Sequence, residues 1–195
     1  VQLQLKSKLE ERNLKLATII SDSSIRIRGL IDNILDFAMG RLGGGINLNY
    51  DHDEHCEIYL KQVVTELELA WPEIQVELIF ALSGPVRMDH KRIAQLFSNL
   101  LGNSISHGDR SQPIIVKASN PGNEFHLSIT NSGKRIADNI MSKLFSPFSR
   151  GKINPGQEGL GLGLYISNEI AKAHGGHIQV ASDDEKTTFT LIIPC

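Results

Sequence analysis

Apolar residues recur at spacings of three and four between residues 14 and 39. Ala17, Ile20, Ser24, Ile27, Ile31, Ile34 and Ala38 trace a heptad seam, which predicts one long helix. Leu30, Leu35 and Phe37 widen the stripe beyond a two-stranded seam, towards a helical bundle. The opposite face carries Asp22–Arg26 and Arg28–Asp32, i,i+4 pairs of the kind found on solvated faces. Val1–Lys8 reads as the tail of a preceding helix and Glu11-Arg12-Asn13 as a polar turn. Together they suggest an antiparallel hairpin cut off on one side. Arg41-Leu42-Gly43-Gly44-Gly45 ends the helix, because glycine lacks helix propensity and supplies left-handed caps.

Beyond residue 50 the pattern changes. Leu60, Val63, Val64, Leu67 and Trp71 mark a helix that stops before Pro72. Ile74–Ile79 reads as a strand. Asp89 can cap a helix with Ile93, Leu96, Phe97, Leu100 and Leu101 on its inner side. Period-two alternation predicts half-buried strands at Ile114/Val116/Ala118, Phe125/Leu127/Ile129 and Phe189/Leu191/Ile193, with a shorter one at Ile178/Val180. Pro121-Gly122-Asn123 and Asp183–Lys186 read as the turns between them. The expected fold class is α/β, a layered sandwich with a mixed sheet over residues 49–195, preceded by a truncated helical hairpin over residues 1–48.

Composition narrows the function. The 195 residues are 41% hydrophobic and 22% charged, with a net charge of −2, a soluble globular balance. A disordered chain and a general nucleic-acid binder are both disfavoured. No apolar run approaches the ~20 residues of a membrane span, so membrane contact is not expected. Two cysteines, Cys56 and Cys195, make no disulfide framework and suggest a reducing, cytoplasmic setting. A chain that begins at Val1 reads as a fragment of a longer protein.

Four separated pieces carry the candidate chemistry. Asn99 and Asn103 share one face of a helix, where two carboxamides can ligate a hard cation through oxygen and donate to phosphate. Asn131-Ser132-Gly133 follows a strand and turns at a glycine, which lets backbone approach a ligand. Phe145-Ser146-Pro147-Phe148 sets two aromatics about a proline, suited to a clamp or a core plug. Gly159-Leu160-Gly161-Leu162-Gly163-Leu164 runs into a helix that stops at His174-Gly175-Gly176. Alternating glycines at a helix N-terminus offer free N–H groups and the positive dipole end to phosphate. The spacing is not that of a Walker loop, and no strand leads directly into it, so the two commoner nucleotide folds are disfavoured.

The order Asn-x-x-x-Asn, Asn-x-Gly, Phe-x-Pro-Phe, Gly-x-Gly-x-Gly resembles the catalytic ATP-binding domain of sensor histidine kinases, the Bergerat fold shared with gyrase and heat-shock chaperone ATPases. Residues 14–39, ending Arg28-Gly-Leu-Ile-Asp-Asn-Ile-Leu-Asp-Phe37, resemble the second helix of the dimerisation and histidine-phosphotransfer domain. The resemblance implies ATP and magnesium as cofactors, with Asn103 the magnesium ligand and Asn99 beside the phosphates. It places Asn131, Gly133, Ile136 and Thr187 about the adenine, and Gly159, Gly161, Leu162, Gly163 and Leu164 at the triphosphate. Phe145 and Phe148 would anchor an ATP lid over Ser149–Glu158. It implies a homodimer through a helical bundle, and a response-regulator receiver domain as partner.

Departures from the pattern are specific. Asn131 replaces the family's usual aspartate, Arg135 and Lys186 stand in place of glycines, and Ser106 stands where many members have a lysine. Arg110, Lys134 or Arg150 would have to supply that charge. None of the seven histidines sits in the family's phosphoacceptor pattern, and His52 and His55 fall in an acidic linker. The expected acceptor therefore lies upstream of Val1. Hydrolytic relatives carry a glutamate as general base where Asn99 stands, which favours phosphotransfer over hydrolysis. The alternative is a degenerate, nucleotide-sensing dimerisation module without kinase activity.

Overall fold

Inward-facing positions alternate along each of the last strands, and they assemble one mixed five-stranded sheet. The computed structural model describes residues 29–40, 45–50, 56–84, 86–149 and 160–195, with single positions 13, 16, 19, 20, 23, 24 and 27. The strands are β1 (Val76–Ala81), β2 (Ile114–Ser119), β3 (Glu124–Ser132), β4 (His177–Ser182) and β5 (Lys186–Pro194). Their order is β1-β2-β3-β5-β4. Only the β1–β2 pair is parallel. The buried row of β3 is Phe125, Leu127, Ile129 and Asn131, and that of β5 is Thr187, Phe189, Leu191 and Ile193. Both rows are apolar until one end, where a polar residue takes the inward position.

Helices α2 (Cys56–Ala70), α3 (His90–His107) and α5 (Gly163–Ala173) form the second layer, with α3 packed between the other two. Helix α3 begins where Asp89 accepts the Arg92 N–H at 3.0 Å. Its Ile93, Leu96, Phe97, Leu100 and Leu101 are all at most 2% exposed and form the centre of the core with Phe125 and Phe189. Helix α2 ends as expected, with the Trp71 N–H still bonded to Leu67 O before Pro72. The first strand lies two residues later than expected. Ile74 is instead drawn into the turn after α2, bonds to Trp71 O, and fills the core from there.

The short helix α4 (Asp138–Met141) is followed by three-residue turns through Ser146, so Leu144 and Phe145 lie in turns rather than on a helix. Gly122 turns the β2–β3 connection at φ 63°. In the β4–β5 turn the Asp183 carboxylate accepts from the N–H groups of Glu185 and Lys186, which hold its pKa below the usual carboxylate range. At Gly176 a Cβ would overlap the Ile192 carbonyl oxygen, so the turn from α5 into β4 needs glycine.

The leading helix, α1, is continuous over residues 29–40, and the earlier described positions are helical too. The heptad residues Ile20, Ile27, Ile31 and Ile34 are 65, 57, 51 and 49% exposed. Helix α1 turns a different stripe, Asn33, Asp36, Phe37 and Gly40, towards the rest of the chain. Phe37 thus leaves the widened bundle stripe in which the sequence set it. Its ring packs on Phe148 and Tyr165, an aromatic partnership that outweighs the periodic expectation. The pair Asp22–Arg26, Arg28 of the pair Arg28–Asp32, the stub Val1–Lys8 and the glycine stop at 41–44 lie outside the described residues, as do His52 and His55. Among the described residues no helix is long and apolar enough to cross a membrane.

Candidate functional site

Helix α3 carries one end of the site directly to the glycine loop. The Asn99 Nδ2 donates to Gly163 O at 3.3 Å. A Cβ on Gly163 would stand 3.3 Å from Asn99 Oδ1, so glycine permits this close approach. Gly161 adopts φ 68°, a left-handed turn. Leu162, the N-cap of α5, makes no side-chain cap, which leaves the first-turn N–H groups open towards this end. The Leu162 side chain is buried and that of Leu164 packs on the core, so any ligand meets their backbone. Asn103 lies one turn beyond Asn99, half-buried, and its carboxamide makes no hydrogen bond among the described residues.

The other end is built where the sheet rows turn polar. Asn131 and Thr187 face each other across β3 and β5, and Thr187 faces Ser182 across β5 and β4. Asn131 and Thr187 are 6% and 4% exposed. The Asn131 Nδ2 donates to Ser132 O at 3.1 Å, which leaves Oδ1 as an acceptor without a partner among the described residues. Thr187 Oγ1 and Ser182 Oγ are 2.8 Å apart, and Ser182 Oγ accepts the Ile136 N–H at 2.9 Å. Gly133 is anchored by donating to Glu185 O at 2.9 Å. Gly108, at the end of α3, abuts Asn131: a Cβ there would come within 3.0 Å of Nδ2. One helix therefore touches both ends of the site.

Phe145 packs against the core, whereas Phe148 is 57% exposed with φ 58°. The Phe148 N–H donates to Gly161 O at 3.1 Å. The segment expected to form the lid, from Arg150 to Gly159, lies outside the described residues. Of the three cations proposed to replace a lysine at 106, Arg110 is engaged by Glu73 at 3.1 Å and Lys134 is exposed without an ion pair among the described residues. Ser106 Oγ donates back to Gly102 O at 2.9 Å. Arg135, in place of a glycine, pairs with Asp138 at 2.9 Å on the surface.

Sequence reasoning passed over Ser182, Gly108, Asp36, Arg92 and Gln95. Ser182 was legible only as the end of a short strand. Arg92 and Gln95 do extend the Asn99–Asn103 face backwards at helical spacing, a signal present in the sequence.

A helix layer lies on one mixed sheet, and Asn99 of one helix meets the glycine-rich N-terminus of another, an arrangement suited to a nucleotide-binding α/β domain. Residues 88–195 match the family of histidine kinase-, DNA gyrase B-, and HSP90-like ATPases, and the chain belongs to that family. It is 36% identical over 195 residues to a bacteriophytochrome of Pseudomonas aeruginosa, covering 97% of this chain and 26% of that protein. It is 39% identical over 110 residues to the sensor histidine kinase ZraS of Escherichia coli K12, covering 56% of this chain and 23% of that one. The chain thus spans about a quarter of the length of these relatives. Among solved structures, ShkA in complex with AMPPNP superposes with a TM-score of 0.70 at 24% identity, over 91% of this chain and 37% of that one. The Acinetobacter baumannii histidine kinase AdeS superposes at 0.68 and 23% identity, over 85% of this chain and 76% of that one. The expected α/β architecture and family are thereby established.

Proposed function

We propose that residues 49–195 are the catalytic ATP-binding domain of a sensor histidine kinase, and that residues 1–48 belong to its dimerisation and phosphotransfer helices. The observation that carries this reading is the reach of α3. Asn99 meets the glycine loop and Gly108 meets Asn131, nine residues apart in the chain. At ~1.5 Å per residue this is roughly 13 Å, comparable to an extended nucleoside triphosphate. The adenine lies at Asn131, Thr187, Gly133 and Ile136, with its exocyclic amine donating to Asn131 Oδ1. The triphosphate would run along α3 to Asn99 and the open N–H groups at Gly161–Leu164, with Phe145 and Phe148 before them in the chain.

The unengaged carboxamide of Asn103 is a hard oxygen donor beside the phosphate end, which suits magnesium, a cation that takes few protein ligands and keeps phosphates and waters. Bound there, magnesium would neutralise phosphate charge. In the reaction, a histidine nitrogen outside this chain attacks the γ-phosphorus. A nitrogen–phosphorus bond forms, the bond to the bridging oxygen breaks, and ADP leaves. The phosphoryl then passes to an aspartate of a response-regulator receiver domain. Asn99 has no basic function, so the site positions the nucleotide rather than activating water.

Calorimetry tests the reading. The intact chain is expected to bind magnesium-ATP, and Asn103→Ala to lose the magnesium dependence of binding. No heat of binding by the unmodified chain would refute the proposal.

A further inference from the structure

Two successive residues of α1 reach the proposed site from two sides. Asp36 is the one buried residue of 29–40, at 7% exposure. Both of its carboxylate oxygens accept from Arg92 Nη1 at 2.9 Å, and Oδ2 also accepts from Gln95 Nε2 at 2.7 Å. Arg92 Nη1 further donates to Gln95 Oε1 at 2.8 Å, which closes the cluster. Gln95 lies one turn before Asn99 on the same face of α3. The open groove between α1 and α3, about 490 Å³, runs from Asp32 and Asp36 to Ser98 and Asn99.

Phe37 grips the other wall. Its ring meets Phe148 edge-on at 5.1 Å and Tyr165 at 5.7 Å between centroids. Phe148 donates its N–H to Gly161 O, and Tyr165 lies in the first turn of α5. Among the described residues Phe148 is the one non-glycine with positive φ, a conformation that bulky residues avoid and that its surroundings must hold. The two walls are themselves joined by the Asn99–Gly163 hydrogen bond.

The contact that α1 makes is narrow. Ile31, Ile34, Leu35 and Met39 remain 45–54% exposed, while one carboxylate and one aromatic ring face the site. A small contact of this kind permits relative motion, and its part-buried ion pair sets register more than it adds net stability.

We propose that Asp36 and Phe37 are positioning residues for the nucleotide site, so that docking of α1 and binding of nucleotide favour one another. The proposal rests on the nucleotide reading above. Asp36 acts through Arg92 and Gln95 on the asparagine wall, and Phe37 through Phe148 and Tyr165 on the glycine wall. A nucleotide that meets two walls already restrained loses less conformational freedom on binding. The coupling is reciprocal: undocking α1 weakens nucleotide by the factor by which nucleotide strengthens docking.

The test is calorimetric titration of the intact chain with magnesium-AMPPNP, beside hydrogen exchange over residues 29–40. Asp36→Ala and Phe37→Ala are expected to bind about fivefold more weakly or worse, and Asp36→Glu, which keeps the carboxylate, to recover most of the loss. Nucleotide is expected to slow exchange over residues 29–40 in the unmodified chain and not in Asp36→Ala. Affinities within twofold of the unmodified chain, tighter binding by the variants, or exchange indifferent to nucleotide would overturn the positioning role. Absence of binding by the unmodified chain would instead overturn the nucleotide reading, and this with it. Should Asp36→Ala fail to fold, the exchange measurement on the unmodified chain decides alone.

Discussion

Ser104 shows how a single atom can mark a strained choice. It is 1% exposed on the inner side of α3, and its Oγ has no hydrogen-bond partner among the described residues. Burying a hydroxyl without a partner costs about 1–3 kcal/mol. Ser104→Ala is therefore expected to stabilise the domain by about 1 kcal/mol, read as a rise in urea midpoint without a change in slope. Asn131 is the opposite case. It too is an inward polar residue, but it sits at the end of the sheet opposite Thr187 in register, and its Oδ1 is left as an acceptor that a ligand can complete. The sequence set Asn131 just after the strand, whereas β3 runs on to Ser132, and period two puts Asn131 on the same face as Ile129. Ser182 was not legible, since nothing local says that its hydroxyl bridges Thr187 and the Ile136 N–H.

At the scale of elements, His174 ties two helices together. Buried at the C-cap of α5, it donates Nδ1–H to Ile170 O at 2.8 Å and accepts the Asp89 N–H on Nε2 at 3.1 Å. Asp89 caps α3 and also accepts the Asn49 N–H at 2.8 Å, so the linker, α3 and α5 meet here. Only the neutral imidazole can accept at Nε2, and burial pushes the pKa of His174 below its ordinary 6.5. The unfolded chain therefore binds the proton more readily than the folded one. This contribution to stability is complete above about pH 6.5. It is lost as pH falls below that value towards the folded pKa. Thermal midpoints between pH 8 and pH 5 are expected to fall more steeply in the native chain than in His174→Gln. The helices themselves were legible from their spacing, stops and caps. The junction was not, because residues 89 and 174 are separated by 85 positions.

Across the whole molecule, the least settled surface is the seam of α1. Ile20, Ile27, Ile31 and Ile34, which share the heptad spacing, are all about half exposed or more. A continuous apolar stripe of this kind marks an interaction surface. In keeping with the proposed homodimer, the chain is expected to associate with rising concentration in sedimentation velocity. Ile27→Glu, Ile31→Glu and Ile34→Glu together are expected to leave it monomeric with its melting midpoint little changed, since none of the three packs on the catalytic domain.

The sequence by itself determined the local structure and the class of site. Period two marked the inward rows of β2, β3 and β5, helical spacing marked α2, α3 and α5, and the order of asparagines and glycines marked the family. These are short-range properties, set by backbone geometry and by which faces must leave water. Tertiary structure alone decided which distant faces meet: Asn131 with Thr187 and Gly108, Asn99 with Gly163, Asp36 with Arg92. Periodicity says that a face is buried but not against what. The polar character of Asp36 and Arg92 reads locally as solvated surface, and only the closing of a 56-residue loop turns them into a part-buried pair.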